Sequence, residues 1–242
     1  MTTLHPAPLA PLDQPPLERL IGAAPGKVLE RLPRMGRVMV IAKTGGATHE
    51  RIGVVEAVTP EAGRLRLSGA CHAASIDPAP VAQILIDRRS VMQGKSYPRL
   101  TFLDSSGAVI AAVVSMDGGE AMEAALTGFA RHAVAPEPSE PPTSAPENLS
   151  EEDAGFVLLS ALAETAVPVT ISVEQPGFTQ GWQGRIETVR PAMGFINVMT
   201  PDFHLHLKTG AVTSWQIVEG RHIALNALGQ PTGLILAPEA DA

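Results

Sequence analysis

Two stretches decide how this chain folds: GVVEAVTPEAG at Gly53–Gly63 and GRIETVRPAMG at Gly184–Gly194. Gly53/Gly184, Glu56/Glu187, Val58/Val189, Pro60/Pro191 and Gly63/Gly194 match at one offset of 131 residues (184 − 53). The same offset pairs Ile76 with Leu207, Val81 with Val212 and Ile86 with Ile217. Further on, Asp104 and Gly107 pair with Asn226 and Gly229 at an offset of 122 (229 − 107), so the first copy carries extra residues near Ser90–Arg99. Two copies do not make a solenoid. Chance alignment of a strand pattern with turn residues does not account for Gly, Glu, Val, Pro and Gly all falling at the same spacing. The chain reads as a duplicated β-rich unit with a ligand cleft between the copies.

Working outward, apolar runs punctuated by glycine and proline predict strands at 37–41, 51–58, 64–67, 81–87, 100–103 and 108–115. In the second copy they fall at 167–174, 183–189, 195–199, 203–207, 211–218 and 223–228. Asp104-Ser-Ser-Gly107 is a tight-turn sequence between two of them. Helices are expected at 17–32, broken near Pro25-Gly26, and at 119–132, where Met122, Ala125, Leu126 and Phe129 share one face. A third starts at a Ser150 cap, with Asp153 three residues on. The fold class is therefore α+β and internally duplicated, each copy an antiparallel sheet with terminal helices. Proline-rich tracts at 1–16 and 135–150 hold too few apolar residues to offset the entropy of ordering. They divide the chain into a disordered leader, a repeat over 17–134, a linker over 135–150 and a repeat over 151–242.

Composition excludes several function classes. A net charge of −7 argues against a general nucleic-acid binder, because phosphate attraction needs a basic face. Aromatics make up 4%, too few for a base-stacking surface. The single cysteine, Cys71, forbids an internal disulfide and a Cys-based zinc site, which fits a reducing cytosol. No run of 18 apolar residues is present, so no membrane span is expected. The N-terminus lacks a basic start followed by an apolar stretch, so no signal peptide is read. The expected location is the cytoplasm.

The segments also resemble a known family. VPVTISVEQPGFTQGWQGRIETVRPAMGFINVMTPDFHLHLKTGAVTSWQIV (Val167–Val218) is similar to the C-terminal repeat of bacterial haem-utilisation proteins of the HemS/ChuX type, the hemin-degrading factors. Phe195-Ile-Asn-Val-Met-Thr-Pro-Asp-Phe-His-Leu-His-Leu207 follows that family's strand–turn–strand pattern. RMGRVMVIAKTGGATHERIGVVEAV (Arg34–Val58) resembles its N-terminal segment through Gly36, Val38, Met39, His49, Glu50 and Gly53, and LTFLDSSGAVI (Leu100–Ile110) resembles a further one. The resemblance implies a two-repeat protein that binds haem in a cleft between the halves, for trafficking, storage or utilisation. Ring opening is implied only as an activity of some members. The chain departs from the family in its haem-holding residues. The family's axial-histidine helix gives way to the proline-rich tract and EEDAGFVLLSALAET, which holds no histidine, and a family arginine falls on Lys43. The alternative reading is a diverged member that has lost haem and serves as a small-ligand or protein-interaction module.

Haem needs a histidine over an apolar slot and cations for its propionates. Among the seven histidines, His72 is the leading axial and metal candidate, because it follows a strand near where one-repeat relatives carry histidines. His204 and His206 share a strand face. His206 matches a family position that reads as structural, and His204 replaces a family Asn. A His-x-His pair binds a metal only with a third ligand, and no suitable residue stands nearby in sequence. Lys43, Arg64, Arg66, Arg88, Arg89 and Lys208 are the propionate candidates, and Lys43 keeps the family's charge without the bidentate fork. The cofactor-binding set is thus His72, Lys43, His204, Arg88 and Lys208. His49 and Glu50 are adjacent, so on a strand they point to opposite faces. No catalytic set is read: there is no nucleophile elbow, no Walker A loop and no Gly-x-Gly-x-x-Gly. The chain is expected to be a monomer or a homodimer.

Overall fold

The computed structural model describes residues 17–135 and 149–239. The leader at 1–16 and nearly all of the tract at 135–150 lie outside the described residues. In chain order the first copy forms β1 (Leu17–Ile21), α1 (Pro25–Leu29), a 3-10 turn at Leu32–Arg34, β2 (Arg37–Thr44), β3 (Ala47–Val54), β4 (Ala57–Glu61), β5 (Arg64–Gly69), β6 (His72–Ile76) and β7 (Gln83–Asp87). It continues with β8 (Val91–Met92), β9 (Lys95–Ser96), β10 (Arg99–Leu103), β11 (Val109–Ser115), α2 (Glu120–Ala125) and β12 (Ala130–Ala133). The second copy forms α3 (Ala154–Thr165), β13 (Val169–Gln175), β14 (Phe178–Gly184), β15 (Arg190–Ala192), β16 (Phe195–Met199), β17 (Phe203–Lys208), β18 (Ser214–Val218), β19 (Arg221–Leu225) and β20 (Pro231–Pro238).

The strands build two large antiparallel sheets. One runs β12-β1-β7-β10-β11-β2-β3-β17-β16-β15 and the other β18-β19-β20-β13-β14-β6-β5-β4. β8 and β9, the extra residues of the first copy, form a separate small hairpin. At the offsets read from the sequence, β7, β10, β11, β2 and β3 correspond to β18, β19, β20, β13 and β14. Likewise β17, β16 and β15 correspond to β6, β5 and β4. Apart from the β12-β1 edge, one sheet maps strand for strand onto the other. The sequence suggested one sheet per half; instead each half passes a three-stranded meander to the other half's sheet. The junctions are β3 on β17 (Glu50 opposite His204) and β14 on β6 (Phe178 opposite Ile76).

The matched glycines have a local cause. Ala62-Gly63 and Met193-Gly194 are two-residue hairpin loops in which both residues have positive φ, +47° and +81° in one and +54° and +78° in the other. Two-residue hairpins that follow the strand twist need that conformation, and glycine takes its share without steric cost.

Helices are shorter than the spacing predicted. Residues 17–21 form a strand because pairing with β7 and β12 buries Leu17 and Leu20, which overrides helix propensity. The helix expected over 119–132 ends at Ala125, and the chain turns at Gly128 (φ +93°) into β12. The cap of α3 is Asp153, not Ser150: its Oδ1 accepts from the Gly155 and Phe156 amides at 2.8 and 3.1 Å. The strand expected over 183–189 is displaced, since β14 ends at Gly184, and β6 and β20 lie inside the second sheet where no strand was read.

One continuous apolar core joins the two sheets, through Val38, Val40, Ile171, Val173, Phe178, Phe203, Leu205, Leu234 and Leu236 among others. Its centre holds a polar pair related by the repeat. His49 on β3 and Gln180 on β14 lie 131 residues apart, as do Val40 and Ile171. The His49 ring Nε2 lies 3.1 Å from the Ile171 carbonyl, and the Gln180 amide donates to the Val40 carbonyl at 3.1 Å. Gln180 Nε2 also lies 3.0 Å from His49 Nδ1. That network assigns the proton of His49 to Nε2 and the acceptor role to Nδ1. Each residue thus satisfies a backbone group of the opposite sheet at the pseudo-symmetry centre. No helix of the described residues is long and apolar enough to cross a membrane.

Candidate functional site

The face of the ten-stranded sheet turned away from the second sheet collects the chemistry. Residues directly opposite on antiparallel strands share a face. Ile41, Glu50, His204 and Met199 therefore form one row across β2, β3, β17 and β16. Lys43, Thr48, His206 and Asn197 form the next, and Lys208 stands opposite Phe195 beyond it. His49, Arg51 and Phe203 point the other way, into the core. The alternation expected for His49 and Glu50 is observed.

Glu50, His204 and His206 are half-buried and in mutual contact. His204 Nδ1 lies 3.2 Å and His206 Nε2 3.7 Å from Glu50 Oε2. Burial by itself would raise the Glu50 pKa, but the His204 hydrogen bond and the proximity of the two imidazoles outweigh it and hold the carboxyl at about 2. Asn197 fixes His206 from behind. Its amide nitrogen donates to the Arg190 and Phe195 carbonyls at 2.9 and 3.2 Å. Its oxygen then faces His206 Nδ1 at 2.6 Å, which places a proton on Nδ1 and leaves Nε2 directed at Glu50. The third ligand missing beside His204 and His206 in sequence is Glu50, brought from 154 residues away by the β3–β17 pairing. Lys43 and Lys208 line one groove of about 340 Å³ with Thr44, Thr48 and Phe195. So Lys43, His204 and Lys208 come together on one face.

His72 and Arg88 do not join them. His72 opens β6, is 4% exposed and packs beside Arg51 and Trp182 in a separate pocket of about 360 Å³. Both of its ring nitrogens are buried, with no hydrogen-bond partner among the described residues. Burial lowers its pKa, against an opposing contribution from the Gly53 backbone. Arg51, its neighbour, donates to the Gly181 carbonyl at 2.9 Å and to Asp202 at 3.1 Å. The repeat explains the position: His72 and Arg51 correspond to Phe203 and Trp182, which stack with centroids 4.5 Å apart. His72 thus fills a core slot that an aromatic ring fills in the other copy.

Arg88 is consumed by a structural clamp. It meets Glu18 on β1 at 2.8 Å and Glu123 on α2 at 2.7 Å, and Arg131 on β12 adds a 2.7 Å contact to Glu123. The four groups lock the edge strands to α2. Arg64 is bound to Ser75 at 2.7 Å, and Arg89 folds back on Asp87 at 2.6 Å.

These features define a class: two large antiparallel sheets with few helices. Solved structures share it. The chain is similar to PhuS, a haem-binding protein from Pseudomonas aeruginosa, at 15% identity and a TM-score of 0.70, over 93% of this chain and 82% of that one. It is similar to ChuS, a haem oxygenase from E. coli, at 14% identity and a TM-score of 0.72, over 93% of this chain and 84% of that one. Holo-PhuS matches at 15% identity and a TM-score of 0.70. The HemS/ChuX resemblance read from the sequence therefore holds for the fold. No family model matches the sequence. No curated protein matches it either.

Proposed function

We propose that this chain is an internally duplicated haem-binding protein whose site is the outer face of the ten-stranded sheet. Duplication is supported by the strand-for-strand correspondence of the two sheets at the sequence offsets. Haem is supported by the fold shared with PhuS, a haem-binding protein, and ChuS, a haem oxygenase, and by the donors on this face. The single observation that carries the site is His204, 23% exposed and held through Nδ1 by Glu50. That hydrogen bond puts the proton on Nδ1 and leaves Nε2 free as an iron ligand. A carboxylate behind an imidazole orients the ring and raises its basicity. Strand spacing puts His204 and Lys43 about 12 Å apart along the face, two strands over and two residues along. Lys43 and Lys208 are then placed to meet propionates, while Met199 and Phe195 supply exposed apolar surface. When bound, haem would supply iron redox and oxygen chemistry; the chain supplies the ligand, the cations and the floor. His72, as ligand, would have to leave a core slot. A reduced compartment fits the one unpaired cysteine, Cys71, and the cytoplasm remains the proposed location.

Haemin titration followed at the Soret band tests this. Wild type should show a saturable one-to-one shift, and His204→Ala should lose it. Lys43→Ala with Lys208→Ala should weaken binding roughly tenfold, as two partly exposed charge contacts are removed. A shift retained in His204→Ala overturns the ligand assignment. No saturable shift overturns haem binding and leaves a scaffold with another ligand.

A further inference from the structure

We infer that Glu50, His204 and His206 also bind a bare divalent transition-metal ion, and that this ion and haem exclude one another. The metal site stands on its own geometry; only the exclusion rests on the haem reading.

One ligand atom from each of the three residues lies within 4.8 Å of the others. The separations to Glu50 Oε2, 3.2 and 3.7 Å, bracket the edge of about 3.4 Å that bonds of about 2.0–2.2 Å give around a tetrahedral ion. Two imidazoles and one carboxylate form a borderline donor set suited to Zn2+ or Fe2+ rather than to Ca2+ or Mg2+, and they leave coordination positions open. The decisive observation is the outer partner. Asn197 holds the His206 proton on Nδ1, so a neutral His206 aims a lone pair from Nε2 at the Glu50 carboxylate. That contact is repulsive until a cation stands between the two groups. A metal ion between them supplies that cation. Lys43 and Lys208 stand on the same face, and Arg99 on β10 is near enough to Glu50 to interact electrostatically. These cations oppose a dication and limit its affinity.

Exclusion follows from the two nitrogens of one ring. A neutral imidazole carries a single proton. Metal on Nδ1 of His204 forces that proton onto Nε2, the nitrogen proposed to face haem iron. Haem on Nε2 returns it to Nδ1, where it bonds Glu50.

The test is isothermal titration of the untagged, metal-free full chain with Zn2+ alone, with Co2+ absorbance as a spectroscopic second readout. We expect one equivalent bound, with d–d bands of a nitrogen- and oxygen-ligated Co2+ ion. Glu50→Gln and His206→Gln should each weaken binding at least tenfold, and Asn197→Ala roughly tenfold through loss of the orienting contact. His222→Ala, away from the cluster, should change nothing. Circular dichroism and the urea midpoint confirm that each variant folds. No saturable uptake, or uptake unchanged in both Glu50→Gln and His206→Gln, overturns the site. Saturating Zn2+ should then weaken haemin binding at least tenfold, and unchanged haemin affinity overturns the exclusion. Zn2+ uptake by a protein that shows no Soret shift would remove the haem reading and leave the metal site standing.

Discussion

Acid should destabilise this protein through His49 before its carboxylates protonate. The ring is fully buried between the sheets, and burial, its largest cause, lowers its pKa from 6.5 to about 3, with the Ile171 carbonyl opposing. Between those values the unfolded chain carries a proton on His49 that the native protein does not. Stability therefore rises with pH across this window and is lost as pH falls through it. One pKa unit corresponds to about 1.4 kcal/mol, so going from pH 7 to pH 4.5 costs about 2.5 kcal/mol from this residue. That is a large part of the stability of an ordinary domain. Glu50 does not interfere. Its pKa of about 2 lies below the ordinary 4.5, so its contribution is lost only as pH falls below about 4.5. The control variant is His49→Gln, which places at this position the residue its repeat partner Gln180 already uses to reach the opposite carbonyl. Urea unfolding at pH 7.0, 5.5 and 4.5 measures both proteins. The difference between wild type and His49→Gln should shrink by about 1.3 kcal/mol at pH 5.5 and about 2.5 kcal/mol at pH 4.5. Parallel losses in the two proteins would refute a neutral, desolvated His49. His72, whose pKa burial also lowers, acts equally in both and cancels.

Two further outcomes concern the framework. Arg88→Ala leaves the Glu18 and Glu123 carboxylates with only Arg131 as a cation and should destabilise by about 2 kcal/mol; this lies below the cost of breaking a fully buried pair because the side chains keep 10–19% exposure. Hydrogen exchange should show β1 and β12 opening first, and protection unchanged there would contradict the clamp. Met193→Asn should stabilise by about 0.5–1 kcal/mol, because Met193 sits at φ +54° and is exposed, and asparagine accepts that conformation at lower cost. A lower thermal midpoint would count against a strained loop.

Much of the fold was legible because it is local. Strand period, turn glycines and the repeat offset depend on residues close in sequence. The Gly63 and Gly194 pair follows from two hairpins that demand positive φ. β1 was not legible: LERLI reads as helix until β7 and β12 are there to pair with it. The site divided in the same way. Lys43, His204 and Lys208 are legible as charged or ligating residues, Lys43 through its position in the family pattern, and the structure gathers them on one face. His72 was chosen by its neighbourhood in sequence, and no local signal marks it as the counterpart of Phe203 in a core slot. Glu50 and Asn197 were missed as site residues; Glu50 was visible only as one half of an alternating pair.

The sequence by itself determined a mostly antiparallel protein with two matching segments, its turns, its apolar faces and its resemblance to haem-utilisation proteins. Only the tertiary structure decided that each half passes three strands to the other's sheet, that His49 and Gln180 meet at the centre, and that Glu50 joins His204 and His206. The physical reason is register. A strand's own pattern says which residues share its face, but the partner opposite each residue is set by packing between strands more than 150 positions apart.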